Sequence, residues 1–212
     1  MKKKYLIPLI IILLIFVIRG YCIDYTSQYP PEQSGTYVKA TTETGDINYR
    51  PFFVTDPSHS LTGSWLDNSW VSGGYEVTEQ RFHIDLGSAK IIRRIYYENG
   101  HSGGKNTNVG VENFTFWGSN TAGSFDDLVY ANDEEWTQIA TSVAYFDEHS
   151  ATDEADPKYI TVTNTTAYRY YALKFADNHG SIYNMGVRRI ELQTEDGYTP
   201  PSEDNAIFWF NF

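Results

Sequence analysis

The sequence predicts an all-β sandwich, and three features carry that expectation. Roughly nine short runs with strand-like apolar patterning are separated by clusters of Gly, Asn, Asp, Ser and Pro, the mark of strands and tight connections. Aromatics make up 16% of the 212 residues, with 17 Tyr and 12 Phe, a bias toward pleated surfaces. Helical patterning is nearly absent and no repeat of fixed period occurs, which leaves packed sheets as the way to bury one core. The length fits one such domain with short extensions.

At the start, Lys2, Lys3 and Lys4 precede an almost unbroken apolar run over residues 5–18. A membrane span needs about 20 apolar residues, and a secretory signal core only about 7–15. Residues 1–22 therefore read as a signal peptide, with Gly20 and Cys22 as the small residues before a cleavage at Ile23, and a secreted or cell-surface protein as the consequence. Arg19, directly after the run, keeps an uncleaved anchor open as the alternative. Lipid attachment at Cys22 is opposed by bulky Tyr21. Cys22 is the sole cysteine, so a chain starting at Ile23 has no disulfide, no thiol nucleophile and no cysteine ligand for zinc. Losing residues 1–22 removes four basic residues and no acid, which moves the formal charge from −11 to −15. Such a surface repels nucleic acid and anionic headgroups alike.

Residues 23–35, with Pro30-Pro31 and many polar groups, read as an unstructured leader to a domain over residues 36–196. Residues 37–41 form a first strand. Phe52-Phe53-Val54 is a short apolar patch closed by the turn signal Asp56-Pro57. Residues 58–74 read as a loop pinned by Trp65 and Trp70. Phe82, Ile84 and Leu86 alternate with His83 and Asp85 before Gly87 turns the chain. In residues 91–98 the apolar positions Ile92, Ile95 and Tyr97 break strict alternation, which predicts a bulge. The polar, glycine-rich stretch 99–108 lacks the strand and helix that a phosphate-cradling loop requires.

Phe114 and Phe116 mark a strand within residues 111–117, and residues 124–130 predict one helical turn, with Asp126-Asp127 near its start. Residues 136–140 and 158–162 are further strands. The acidic stretch between them (Asp147, Glu148, Asp153, Glu154, Asp156) reads as a solvated loop. Asn113 and Asn164 each begin a glycosylation triplet. Residues 168–176 and 186–194 are the two closing strands. Arg169, Tyr171, Leu173 and Phe175 share one face of the first, and Tyr170, Ala172 and Lys174 the other. Beyond them, residues 197–212 combine a linker-like Thr199-Pro200-Pro201-Ser202 with the short apolar ending Ile207-Phe208-Trp209-Phe210.

Several of these stretches carry a family resemblance. Arg169-Tyr170 followed by Leu173 and then by Arg189-Ile190-Glu191-Leu192 resembles the closing strands of discoidin domains, the C-type domains of coagulation factors five and eight. Upstream, Trp65 to Trp70, Phe82-His83-Ile84-Asp85-Leu86-Gly87, Gly118-Ser119-Asn120 and Trp136-Thr137-Gln138-Ile139 occur in the family's order. The resemblance spans residues 36–195 and implies an antiparallel, galactose-binding-like jelly roll. It places ligand-binding loops at one end, here residues 58–64, 99–108 and 177–184. No cofactor is expected; the resemblance leaves calcium at a turn near Asp67 and Asn68 as the alternative, although Arg189 stands where related sugar-binding modules use a glutamate. The missing disulfide departs from animal members.

Taken together, these readings predict a secreted, non-catalytic module that recognises a glycan or cell-surface glycoconjugate. Sugar hydroxyls suit convergent amides and imidazoles, and a sugar's apolar face suits a ring. The candidate ligand-binding residues are Asn99, His101, Lys105, Asn178, His179, Tyr183 and Asn184. His101, His179 and Tyr183 are expected to serve binding and contribute little to stability. At least one of Arg189 and Glu191 is expected to be buried and hydrogen-bonded within the domain. Membrane insertion is disfavoured, since only Leu61 and Ile182 offer apolar spikes on the loops. Catalysis would need paired carboxylates in a cleft, or a metal held by His101, Asp177 and His179 if the loops meet. The main alternative is a structural or adhesin component of a surface layer or virion, with no sugar affinity.

Overall fold

The computed structural model describes residues 23–196. The stretch read as a signal peptide (residues 1–22) and the linker-like and apolar ending over residues 197–212 therefore lie outside the described residues. Ten strands form: β1 (Tyr25–Gln28), β2 (Val38–Ala40), β3 (Trp70–Val71), β4 (Gln80–Lys90), β5 (Arg94–Asn99), β6 (Phe114–Ser119), β7 (Thr137–Thr141), β8 (Lys158–Thr163), β9 (Tyr168–Phe175) and β10 (Gly186–Glu195). One short helix, α1 (Ala122–Asp126), and three short 3-10 helices accompany them among the described residues. The order β1-β10-β5-β8-β7-β6-β9-β4-β2, with β3 on β10, is antiparallel throughout. Strands β7 and β8 pair over only two positions, Ala140↔Thr163 and Thr141↔Val162. At that thin seam the sheet curls into two layers around one core.

The core follows from period-two patterning. Phe82 and Ile84 of β4, Phe114 and Phe116 of β6, and Tyr171, Leu173 and Phe175 of β9 face Ile95, Tyr97, Ile160, Val162, Ile190 and Leu192 of the other layer. Trp70 is fully buried between them, 5.5 Å from Phe82 and 5.9 Å from Phe175. Its indole N–H donates to the carbonyl of Thr42 at 2.9 Å, so the one polar atom it buries is paired. The outer face of β9 is covered as well. Tyr170 and Ala172 pack with Phe125 of α1 and Trp136, and Lys174 and Arg81 share the carboxylate of Asp133. Arg169 leaves the inward row of β9 and forks onto Asp85 with two bonds of 2.8 Å.

Several local expectations need correction. The supposed leader contains β1, which pairs Tyr25–Gln28 with Leu192–Glu195 as an edge strand. The chain then reaches Pro31, whose side chain lies against Gly87. Gly87 does not end its strand. With φ +71° it sits where the β4–β9 register shifts between Asp85 and Lys90, and β4 continues to Lys90. The irregular spacing of Ile92 and Ile95 is not a bulge but a break, because residues 91–93 link two strands. The bulge lies instead in β10, between Val187 and Arg189, and it lets Val187 and Ile190 face the same core despite their odd spacing. The helical turn begins two residues earlier than expected and ends at Asp126. Of the two glycosylation triplets, Asn113 is exposed, whereas the Asn164 amide is buried and donates to Thr166.

Candidate functional site

The three loops named from the sequence meet at one end of the sandwich. The Gly103 N–H donates to the Gly63 carbonyl at 2.7 Å, and Ser181 N–H and His179 N–H donate to the carbonyls of Asn108 and Gly110. A fourth segment joins them, since the Gly63 N–H donates to the Asp153 carboxylate at 2.6 Å. The loop 72–79 lies beside the third, with the Tyr75 N–H donating to the Tyr183 carbonyl.

Of the seven named residues, three are turned inward and fully engaged. Asn99 donates to the carbonyls of Val111 and Asp147 and accepts from Gly100 N–H. Asn178 donates to Ser181 and Asn184 and accepts from Gly180 N–H. His101 has no exposed surface. Its Nδ1 accepts from Gly104 N–H at 3.1 Å, which fixes the proton on Nε2, 3.0 Å from the Leu61 carbonyl. The ring stacks on His149 at 3.7 Å. Burial, reinforced by the nearby Arg188 charge, pushes its pKa down to about 4, so the ring is neutral. These three residues shape the loops; their polar atoms do not face outward. His179 is half-buried with Nε2 3.0 Å from the Phe146 carbonyl. Asn184 is half-buried, and Lys105 and Tyr183 are exposed.

The sequence reading missed two groups. The first is Arg188, which is fully buried. One terminal nitrogen donates to the carbonyls of Gly63 at 2.9 Å and Ser64 at 2.7 Å, and burial lowers its pKa to about 10. Next to it, Arg189 donates to the His59 carbonyl at 2.6 Å and to Glu191 at 3.3 Å. The bulge in β10 sends these adjacent guanidinium groups into the same loop, 59–64, and period-two reasoning gives no sign of that. The burial expected for this pair holds: Arg189 is 4% exposed, and Glu191 also accepts from Ser27 at 2.6 Å.

The second missed group is Tyr75. It follows Gly73-Gly74, a loop signature that concealed its neighbour in space. Tyr75 is 76% exposed and Tyr183 61% exposed, with ring centroids 6.1 Å apart and planes inclined at 50°. Ile182 beside them is also exposed. Tyr75 has φ +67°, a region that costs a non-glycine residue about 1 kcal/mol or more. Strain and exposure of large apolar surface together are what folding alone would select against.

The donor set near Asp67 and Asn68 does not fit calcium, which takes six to eight oxygens. The Asn68 amide donates to the carbonyls of Ser64 and Leu66, and its oxygen accepts from Ser60 N–H. The carbonyls of His59, Gly63 and Ser64 already accept from Arg188 and Arg189. Arg188 and Arg189 thus tie the loop 59–64 to β10. Among the described residues, no group of three or more His, Cys, Asp or Glu side chains is placed to hold a metal ion. Asp177 is bonded to Asn113, and it does not join His101 and His179 in such a group.

No protein-family model and no curated protein sequence matches the chain. Solved structures do. The family 32 carbohydrate-binding module of Clostridium perfringens NanJ, in complex with galactose, matches at TM-score 0.51 and 14% identity over 74% of this chain and 92% of that one. The family 32 module of Streptococcus pneumoniae EndoD matches at TM-score 0.51 and 11% identity over 79% and 98%. A pectin-binding carbohydrate-binding module matches at TM-score 0.50 and 15% identity over 79% and 91%. At such identities the likeness defines the fold alone: an antiparallel β-sandwich shared with these modules.

Proposed function

We propose that this protein is a secreted or cell-surface, non-catalytic carbohydrate-binding module of the wider discoidin-like group, and that it grips its glycan through Tyr75 and Tyr183. The observation that carries this reading is the pair of exposed, inclined rings held where the loop 72–79 meets the loop 177–184. Inclined rings offer stacking surface to the apolar faces of a sugar, and a tyrosine hydroxyl adds a polar edge. Of the polar side chains named from the sequence, Lys105 is exposed and His179 and Asn184 are half-buried, so these three retain solvent access. Two of the fold neighbours are described with galactose or as pectin-binding, which favours a saccharide over other ligands of the fold.

Binding needs no cofactor in this reading, since Arg188 and Arg189 order the loop that a cation would otherwise order. A glycan-array screen of residues 23–212, followed by titration of the best ligand with calcium and with a chelator, tests it. Wild-type protein should bind equally in both, and Tyr75→Ala and Tyr183→Ala should each weaken affinity about tenfold, or ~1.4 kcal/mol. A spacer or adhesin without sugar affinity would show no glycan hit at all.

A further inference from the structure

Away from the loop end, the outer face of the β1–β10–β5–β8 layer carries a preorganised guanidinium. Arg94 of β5 stands opposite Gln193 of β10 and Thr161 of β8. Its Cζ lies 3.8 Å from the Tyr25 ring and 4.4 Å from the Tyr159 ring, so the planar group is sandwiched. Its Nε donates to the Gln193 side-chain oxygen at 2.6 Å. Three contacts therefore fix a side chain that would otherwise lose substantial rotamer entropy on binding.

Arg50, Arg81, Arg93, Arg169 and Arg189 each face a carboxylate among the described residues. Arg94 bonds to a neutral amide instead. Its two terminal nitrogens make no hydrogen bond to the described residues and are not among their sealed, unpartnered atoms, so they reach solvent. The nearest acids of the same face are already matched, Glu195 by Arg93 and Glu191 by Arg189. Beside the guanidinium, Tyr159 is 54% exposed and lies 5.5 Å from Tyr96.

From this arrangement we infer a second saccharide site, in which Arg94 holds a sugar carboxylate through its two terminal nitrogens while Tyr25 and Tyr159 contact the sugar ring. A guanidinium edge with both nitrogens free matches a carboxylate bidentately, and such charge-assisted bonds are about twice as strong as neutral ones. The ligand class is a carboxylate-bearing pyranose, either a uronate or a sialate. Seven residues of β10 separate Gly186 at the loop end from Gln193, or about 23 Å at strand rise. The two sites are therefore separate.

The test is titration of the full chain with an oligogalacturonate, with its methyl ester and with a sialyl-lactose. Binding of either acid is the expected result, with the ester at least about tenfold weaker than the galacturonate if that acid binds. Which acid binds identifies the source of the carboxylate. Arg94→Lys keeps the charge but loses the fork, and it should weaken the acid about tenfold while leaving the melting temperature near wild type. Acid binding that Tyr183→Ala weakens and Arg94→Lys spares would belong to the loop-end site and would overturn the inference. Lack of binding by both acids, equal binding of the ester, or an unaltered Arg94→Lys variant overturns the inference.

Discussion

Arg189 lies in the most recognisable stretch of the family resemblance, and its guanidinium ties strand to loop. Arg189→Ala would leave Glu191 and the His59 carbonyl short of a donor in a nearly closed site. Glu191 keeps Ser27, so a cost of about 3 kcal/mol is expected, at the lower end for broken buried pairs; urea denaturation would read it. From the sequence, His101 is a binding residue of little weight in stability. Its buried ring and two bonds instead predict that His101→Ala lowers stability by about 2 kcal/mol.

Burial holds the pKa of His101, and of His83 on the opposite layer, near 4 rather than 6.5. Depressed values mean that the unfolded chain binds protons first, so stability falls as pH drops from about 6.5 to about 4. Burial raises Glu98 to about 7, and that group acts the other way, adding stability as pH falls from about 7 to about 4.5. Burial also lowers His149, which acts in the same direction, so the histidines outweigh the one carboxyl and a net loss of at least about 2 kcal/mol between pH 6.5 and pH 4.5 is expected from urea midpoints.

Among the elements, strands that line the core were legible because the face turned to the core is apolar while the other, though covered, carries polar or mixed residues: Phe82, Ile84 and Leu86 against Arg81, His83 and Asp85 in β4, or Tyr171, Leu173 and Phe175 against Tyr170, Ala172 and Lys174 in β9. Strand β1 was not. Tyr-Thr-Ser-Gln has no apolar row, since an edge strand gains chiefly backbone pairing and surface contacts such as Ser27 on Glu191. Nor does local sequence reveal that Pro31 rests on Gly87. A Cβ there would stand 2.4 Å from the Pro31 ring, on a residue at φ +71°. Gly87→Ala should therefore lower thermal stability by at least about 1 kcal/mol. A melting temperature equal to wild type would mean that residues 23–35 do not pack as described.

For the molecule as a whole, one shared core and one seam between layers make a rigid frame on which loops converge. The positions of the three loops were legible through the family resemblance, but the direction of each side chain within them was not. Asn99, His101 and Asn178 share the polar chemistry of ligand-binding groups, yet each finds its partners inside the loops it shapes. Tyr75 escaped notice because its closeness to Tyr183 depends on two segments more than a hundred residues apart. The internal guanidinium groups of Arg188 and Arg189 further predict that neither calcium nor a chelator shifts the melting temperature.

The central claim is that two exposed tyrosines on this loop end hold a saccharide. The most direct measurement is calorimetric titration of the best array ligand into wild type and a Tyr75→Ala/Tyr183→Ala double variant, with melting temperatures taken alongside. Both side chains are mostly exposed, so the account predicts unchanged melting and a loss of affinity of about a hundredfold if their effects add. A double variant that melts like wild type and still binds with wild-type affinity would contradict it.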